Sequence, residues 1–243
     1  MAALRTAFFM LLVGLWTIPF GVLVTLAIIF PMPTRYRIIA LWRSGFMALC
    51  HYVLGIRYRV LGRENMPAEP AVVMAKHQSA WETVGLQEVF PPLVFVLKKE
   101  LLRVPFFGWG LAAMKMISID RAAAKDALKQ VFDQGRERLS AGYWVVIFPE
   151  GTRVAPGETA RYKPGGAHLA VRSGARVVPV AHNAGEFWRK DRFTIAPGLI
   201  TVSIGPPIDP AGKTAAKMNT LAAAWIETEM RRLSPHLYPA AAD

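Results

Sequence analysis

The stretch "AVVMAKHQSAWETVGLQEVF", residues 71–90, runs an apolar segment into a histidine, a polar turn and a helical pattern. Ala71 to Ala75 are apolar without alternation, as two-sided burial in a sheet requires. His77 lies just past that strand, and Glu82 follows inside a helical pattern over 79–88. Two readings of the pair stay open. A neutral imidazole can take a proton from a hydroxyl, with a carboxylate fixing its tautomer and steadying the imidazolium. Ser79-Ala80-Trp81-Glu82 reads equally well as a capping box, with Ser79 at the N-cap. A metal site is weaker, because no second histidine stands at ligand spacing.

The order of strand, polar motif and helix recurs at "YWVVIFPEGTR", residues 143–153. Further strands are expected at 56–62, 93–98, 175–181 and 199–205, and helices at 123–139, 165–173 and 213–233. This alternation indicates an α/β domain whose mainly parallel central sheet is flanked by helices on both faces. Sites in such sheets lie at the carboxyl ends of strands, where both polar motifs fall.

In "FPEGTR" (148–153), Gly151 permits an unusual backbone angle, and Arg153 with the loop amides could receive a phosphate. Glu150 is out of place in a bare anion pocket. It suggests hydrogen bonds to substrate hydroxyls or an orienting pair with an arginine. Thr152 belongs to the same loop. "ISIDR" ends a short strand at Arg121, which alone reads as a surface ion pair. Lys163 precedes Gly165 and Gly166 at a helix start, a reasonable anion site. Pro179 in "VVPVA" implies a bulge or a strand end. Leu221, Trp225, Ile226 and Met230 give the last helix an apolar stripe for core packing. "GKT" at 212–214 lacks the first glycine of a phosphate loop, and no G-x-S-x-G elbow occurs. His51, His168, His182 and His236 show no partner pattern, although His182 follows a strand end.

The 243-residue chain carries a net charge of +12 and is 53% hydrophobic. Seven arginines and no lysine or acid lie in residues 1–63. A cationic border beside apolar sequence suggests anionic lipid, whereas nucleic acid would call for a reading motif that is missing. Ala7 to Phe30 holds 24 residues without a charge, about 36 Å as a helix, enough to cross a hydrocarbon core. It is too long for a signal peptide's apolar region and has no small-x-small cleavage site. Pro19 should kink it, "PMP" at 31–33 breaks it, and Ile38–Gly55 is a second apolar segment bearing Arg43. Residues 7–30 either span or form a shallow hairpin with this second segment. If they span, arginine placement puts the C-terminal side in the cytoplasm. Residues 1–55 are thus expected to anchor a catalytic domain of residues 56–243. The single cysteine, Cys50, excludes an intramolecular disulfide.

Taken in order, His77 to Glu82, "KKELLRVPFFGWGLAAMKMISIDR" (98–121), "FPEGTR" and "VVPVA" (177–181) resemble the blocks of the 1-acyl-sn-glycerol-3-phosphate acyltransferase family of bacterial inner membranes. The resemblance covers about residues 70–185. It departs at Glu82, where the family more usually has aspartate. It implies transfer of a fatty acyl group from a coenzyme A or acyl carrier protein thioester to lysophosphatidate, giving phosphatidate. His77 would be the base and Glu82 its partner. Arg121, Arg153 and Lys163 would hold the acceptor phosphate, with Glu150, Gly151 and Thr152 shaping the loop. No metal or further cofactor is implied. The expected setting is an anionic phospholipid membrane, with the catalytic domain on the cytoplasmic face of the inner membrane. Glycerol 3-phosphate or another lysolipid as acceptor, a membrane-bound lipid hydrolase, and a lipid-binding protein without turnover are the alternatives.

Overall fold

The computed structural model describes residues 1–90, 92–120 and 124–238. The apolar start forms helix α1 (Ala2–Leu26), which continues through Pro19 into a 3-10 turn at Ala27–Ile29. Helix α2 (Met32–Tyr52) begins earlier than Ile38 because Pro33 falls in its first turn, where a missing N–H is harmless. The strands are β1 (Ile56–Leu61), β2 (Val72–Ala75), β3 (Leu93–Lys98), β4 (Ile117–Ile119), β5 (Trp144–Ile147), β6 (Val177–His182) and β7 (Gly198–Ile204). Between and after them run α3 (Glu82–Val89), α4 (Phe107–Ala113), α5 (Ala124–Ser140), α6 (Gly165–Ser173), α7 (Ala184–Phe187) and α8 (Ala215–Leu233).

One sheet orders these strands β1-β7-β6-β2-β5-β3-β4. Neighbours are parallel except β6 and β7, so β7 and β1 run against the rest. Here the chain returns through the four-residue α7, not through a long crossover helix. The centre is β2, with Val72 opposite both Val145 and Val177. Every residue of β2, β5 and β6 is buried, and each buried valine contributes on the order of 1.5–3 kcal/mol.

Helices cover both faces. Gly166 of α6 abuts Met74 and Ile147, while Trp144, on the other face of β5, meets the Phe90 ring after α3 at 5.4 Å. Pro179 neither ends β6 nor breaks its register with β2. Lys76 N–H bonds the Val180 carbonyl and Val72 N–H the Arg176 carbonyl, so Pro179 presents its donor-less nitrogen to the other side. There β7 has ended, and Gly205 N–H bonds the Pro179 carbonyl.

The first helix does not stand away from this body. At its start Arg5 Nη2 bonds the Ile195 carbonyl at 3.0 Å, and Thr6 Oγ1 accepts the Ile195 N–H at 3.0 Å. Near its end Gly21 sits so close to α4 that a Cβ would lie 2.6 Å from the Phe106 carbonyl oxygen. Trp16 Nε1 bonds the Trp42 carbonyl at 2.9 Å, and Trp42 Nε1 bonds Thr17 Oγ1 at 3.1 Å. α1 and α2 are therefore a hairpin laid along the α/β body, with Phe8, Leu11, Leu15, Ile18 and Leu26 on the exposed side of α1.

Candidate active site

Because β2 and β5 are neighbours, "KHQSAWE" and "FPEGTR" emerge side by side at one edge of the sheet. The loop carrying His77 is pinned group by group. His182 Nε2 donates to the Lys76 carbonyl at 2.8 Å, and the His77 N–H reaches Glu150 Oε2 at 2.7 Å. The His77 carbonyl accepts Val154 N–H at 2.8 Å, and the N–H groups of Gln78 and Ser79 reach Glu82 Oε1 at 2.9 and 2.8 Å.

That same oxygen lies 2.9 Å from His77 Nδ1. A carboxylate oxygen only accepts, so Nδ1 carries the proton and Nε2 keeps its lone pair. The His77 side chain is 16% exposed and lines the cavity described below, whereas that of Glu82 is fully buried. Phe148 stacks on the imidazole, with ring centroids 4.1 Å apart. Burial alone would push the Glu82 carboxyl up. The His182 and His77 rings and the Ser79 N–H hold it below the usual glutamate value. The pair and the Glu82–Ser79 contact thus coexist, with one difference from the sequence reading. α3 starts at Glu82 instead of position 79, because Ser79 Oγ serves the Trp81 N–H at 3.1 Å. All three bonds converge on Oε1 and none on Oε2.

Glu150 turns inward. Its fully buried side chain pairs with Lys76 Nζ at 2.8 Å, so the cation it meets is a lysine, not an arginine or a substrate hydroxyl. Burial would pull the Lys76 ammonium down, but Glu150 and Glu227 hold it above the usual lysine value. Gly151 takes φ +72°, and a Cβ there would lie 2.8 Å from Lys163 Nζ, so the Lys163 chain folds over a position that suits glycine. Lys163 N–H bonds the Pro149 carbonyl at 2.8 Å, joining the two loops.

A cavity of about 730 Å³ opens beside the dyad. His77, Gly151, Thr152, Arg153 and Lys163 all line it, and Lys98 and Lys190 add lining cations that the sequence reading did not assign. Most of the other lining residues are apolar, among them Phe20 and Val24 of α1, Leu111 of α4, and Phe95, Phe148 and Leu128, with Thr17, Thr83 and Gln87 between them. Arg121 lies outside the described residues. An oxyanion placed near His77 would meet cations, and a hydrocarbon chain would meet side chains of its own kind.

Of the other histidines, His182 supports the loop that carries His77. His182 is fully buried, donating from Nε2 and accepting the Ala184 N–H at Nδ1, and burial lowers its basicity. His236 faces Glu186 at 3.2 Å and His51 packs edge-on to Tyr52. Among the described residues, no three His, Cys, Asp or Glu side chains cluster as metal ligands.

A positioned imidazole–carboxylate pair opening on a largely apolar cavity that also holds cationic side chains suits group transfer between lipid-like substrates. The chain belongs to the acyltransferase family, whose model matches residues 57–183. It is 46% identical over 96% of its length to a Pseudomonas aeruginosa protein named 1-acyl-sn-glycerol-3-phosphate acyltransferase, 93% of which is covered. The human protein named 1-acyl-sn-glycerol-3-phosphate acyltransferase alpha is 32% identical over 70% of this chain and 62% of its own. The crystal structure of the Thermotoga maritima lysophosphatidate acyltransferase PlsC superposes with a TM-score of 0.81 over 100% of this chain and 98% of that one. Its 21% identity makes this a likeness of fold.

Proposed function

We propose that this chain transfers a fatty acyl group from an acyl thioester to the sn-2 hydroxyl of 1-acylglycerol 3-phosphate, giving phosphatidate. The observation that carries this reading is the 2.9 Å contact of His77 Nδ1 with Glu82 Oε1 beside a largely apolar cavity that Arg153 and Lys163 also line. His77 Nε2 takes the acceptor hydroxyl's proton while its oxygen attacks the thioester carbonyl. Glu82 stabilises the imidazolium. The tetrahedral intermediate then expels the thiolate, which takes the proton back, and the imidazole is neutral again. Arg153 and Lys163, with Arg121, hold the acceptor phosphate, and the apolar cavity holds an acyl chain. Coenzyme A or acyl carrier protein is the donor's carrier, and no further cofactor is needed for these steps.

The hairpin supports a setting at the membrane surface. The ties of α1 to the body at Arg5–Thr6 and again at Gly21 favour a helix lying along the body over one that leaves it to cross a bilayer. We therefore place α1 within one leaflet of an anionic membrane, its exposed apolar side toward the lipid, at the cytoplasmic face of a bacterial inner membrane. Leu101, Val104, Phe107 and Trp109 extend that exposed apolar surface beside the cavity, flanked by Lys98, Lys99 and Arg103. Acceptor and product then need not enter water. The test is release of thiol from oleoyl-coenzyme A with and without lysophosphatidate. Acceptor-dependent release with phosphatidate formed supports the reading, and acceptor-independent release would show a hydrolase.

A further inference from the structure

At the level of sequence α8 offers only an apolar stripe. In the fold, Glu227 leaves that helix to meet Lys76 Nζ at 2.8 Å, and it accepts the Tyr162 hydroxyl at 2.9 Å. Lys76 also donates to the Glu158 carbonyl at 3.3 Å and forms an ion pair with Glu150 Oε1 at 2.8 Å. Glu150 gives its other oxygen to the His77 N–H at 2.7 Å. An unbroken polar chain therefore runs from Tyr162 through Glu227, Lys76 and Glu150 to the backbone of His77.

We propose that Lys76 and Glu227 are positioning residues for the transfer step, fixing the His77 backbone through Glu150 without touching substrate. The inference rests on His77 acting as the base. Stability alone is a poor reason for this arrangement. Two carboxylates around one buried ammonium lose much of their attraction to desolvation, and apolar side chains of equal volume would pack as well. What apolar side chains cannot supply is an acceptor at a defined point for the His77 N–H. Glu150 reaches that point with Oε2 while the Lys76 ammonium attracts its Oε1. Lys76 in turn keeps its direction because Glu227 and the Glu158 carbonyl fix it from the far side. Placing a base within the tolerance of a near-attack geometry is the kind of effect for which a shift of about 1 Å costs ~10²-fold.

The test uses the full chain in mixed micelles with lysophosphatidate and oleoyl-coenzyme A, and reads kcat, both KM values and the melting temperature. Glu227→Ala should lower kcat on the order of 10–100-fold while both KM values stay within about twofold. Glu227→Gln keeps an oxygen acceptor for Lys76 and Tyr162, so it should return kcat to within about threefold of wild type. Tyr162→Phe removes a single bond from the far end and should cost about two- to tenfold in kcat even if Glu227→Ala does not fold. A lowered melting temperature with unchanged kcat in these variants would overturn the proposal, as would Glu227→Gln being as slow as Glu227→Ala. His77→Ala is assayed alongside. If it remains active, the base reading itself fails. If it is dead while Tyr162→Phe and Glu227→Ala turn over normally, only the positioning role fails.

Discussion

Glu82→Gln removes one charge from the site while keeping its shape. The amide oxygen can still accept the N–H groups of Gln78 and Ser79, so the loop retains its backbone bonds. What disappears is attraction for the imidazolium that forms as the hydroxyl proton moves to His77. Nδ1 and Oε1 are 2.9 Å apart. With charge centres about 4 Å apart and an effective dielectric of ~20, that attraction is about 4 kcal/mol. In full it is a factor of ~10³ in rate, and partial charge development at the transition state brings the expected loss in kcat to ~10²–10³. The assay is steady-state thiol release at saturating lysophosphatidate, with thermal unfolding of the same preparation as the control on folding. A folded Glu82→Gln protein within about tenfold of wild-type kcat would refute the electrostatic role assigned to this carboxylate. Glu82→Asp is the informative companion. It keeps the charge, but one methylene less draws the oxygen away from all three donors. It should lose both stability and rate, because this backbone is built for the longer arm.

Arg153→Lys should raise the acceptor KM well above any change in donor KM, since an ammonium cannot reproduce a bidentate phosphate contact. Equal effects on both substrates would count against the assignment. Gly151→Ala should cost about 1–2 kcal/mol of stability from its φ of +72° and should displace Lys163, again raising the acceptor KM. Unfolding and initial-rate measurements check the two parts separately. The Glu82 carboxyl is held below its ordinary value, so its bonds stabilise the fold above an unfolded-state value near ~4.3 and are lost as pH falls below it. The stability gap between wild type and Glu82→Gln should therefore be widest above that pH and close in acid, as measured by denaturant titration across the range. Burial lowers the basicity of His182. Below an unfolded-state value near ~6.5 the unfolded chain binds the extra proton, so wild-type stability should begin to fall there as pH drops.

Much of the fold can be read in the residues because burial on two faces leaves an unmistakable trace. β3 falls at 93–98 as its apolar run indicates, and β2 and β5 sit within their expected spans. Strand direction leaves no such trace. "LITVSIG" is equally apolar whichever way it runs, so the reversal at β7 was hidden. α4 was hidden for another reason. "FGWGLAA" has two glycines in seven residues and little helical propensity, and its docking against α1 supports it. At the site, the spacing of His77 and Glu82 was legible because both lie on one turn. The Lys76–Glu227 contact spans 151 positions, and no local pattern announces it. Glu150 stood out in the sequence as unsuited to a bare anion pocket, but only the fold shows that Lys76 is the cation it faces. Lys190 sits in a loop without periodicity, so nothing marked it before the cavity was seen.

The account turns on His77 as the base that takes the acceptor's proton. Transfer of a radiolabelled oleoyl group from its coenzyme A thioester to lysophosphatidate, measured with wild type and His77→Ala in the same micelles, tests that directly. The expected result is a loss of ~10²–10⁴ in kcat, with the melting temperature and both KM values nearly unchanged. Phosphatidate formed by His77→Ala at close to the wild-type rate would contradict it.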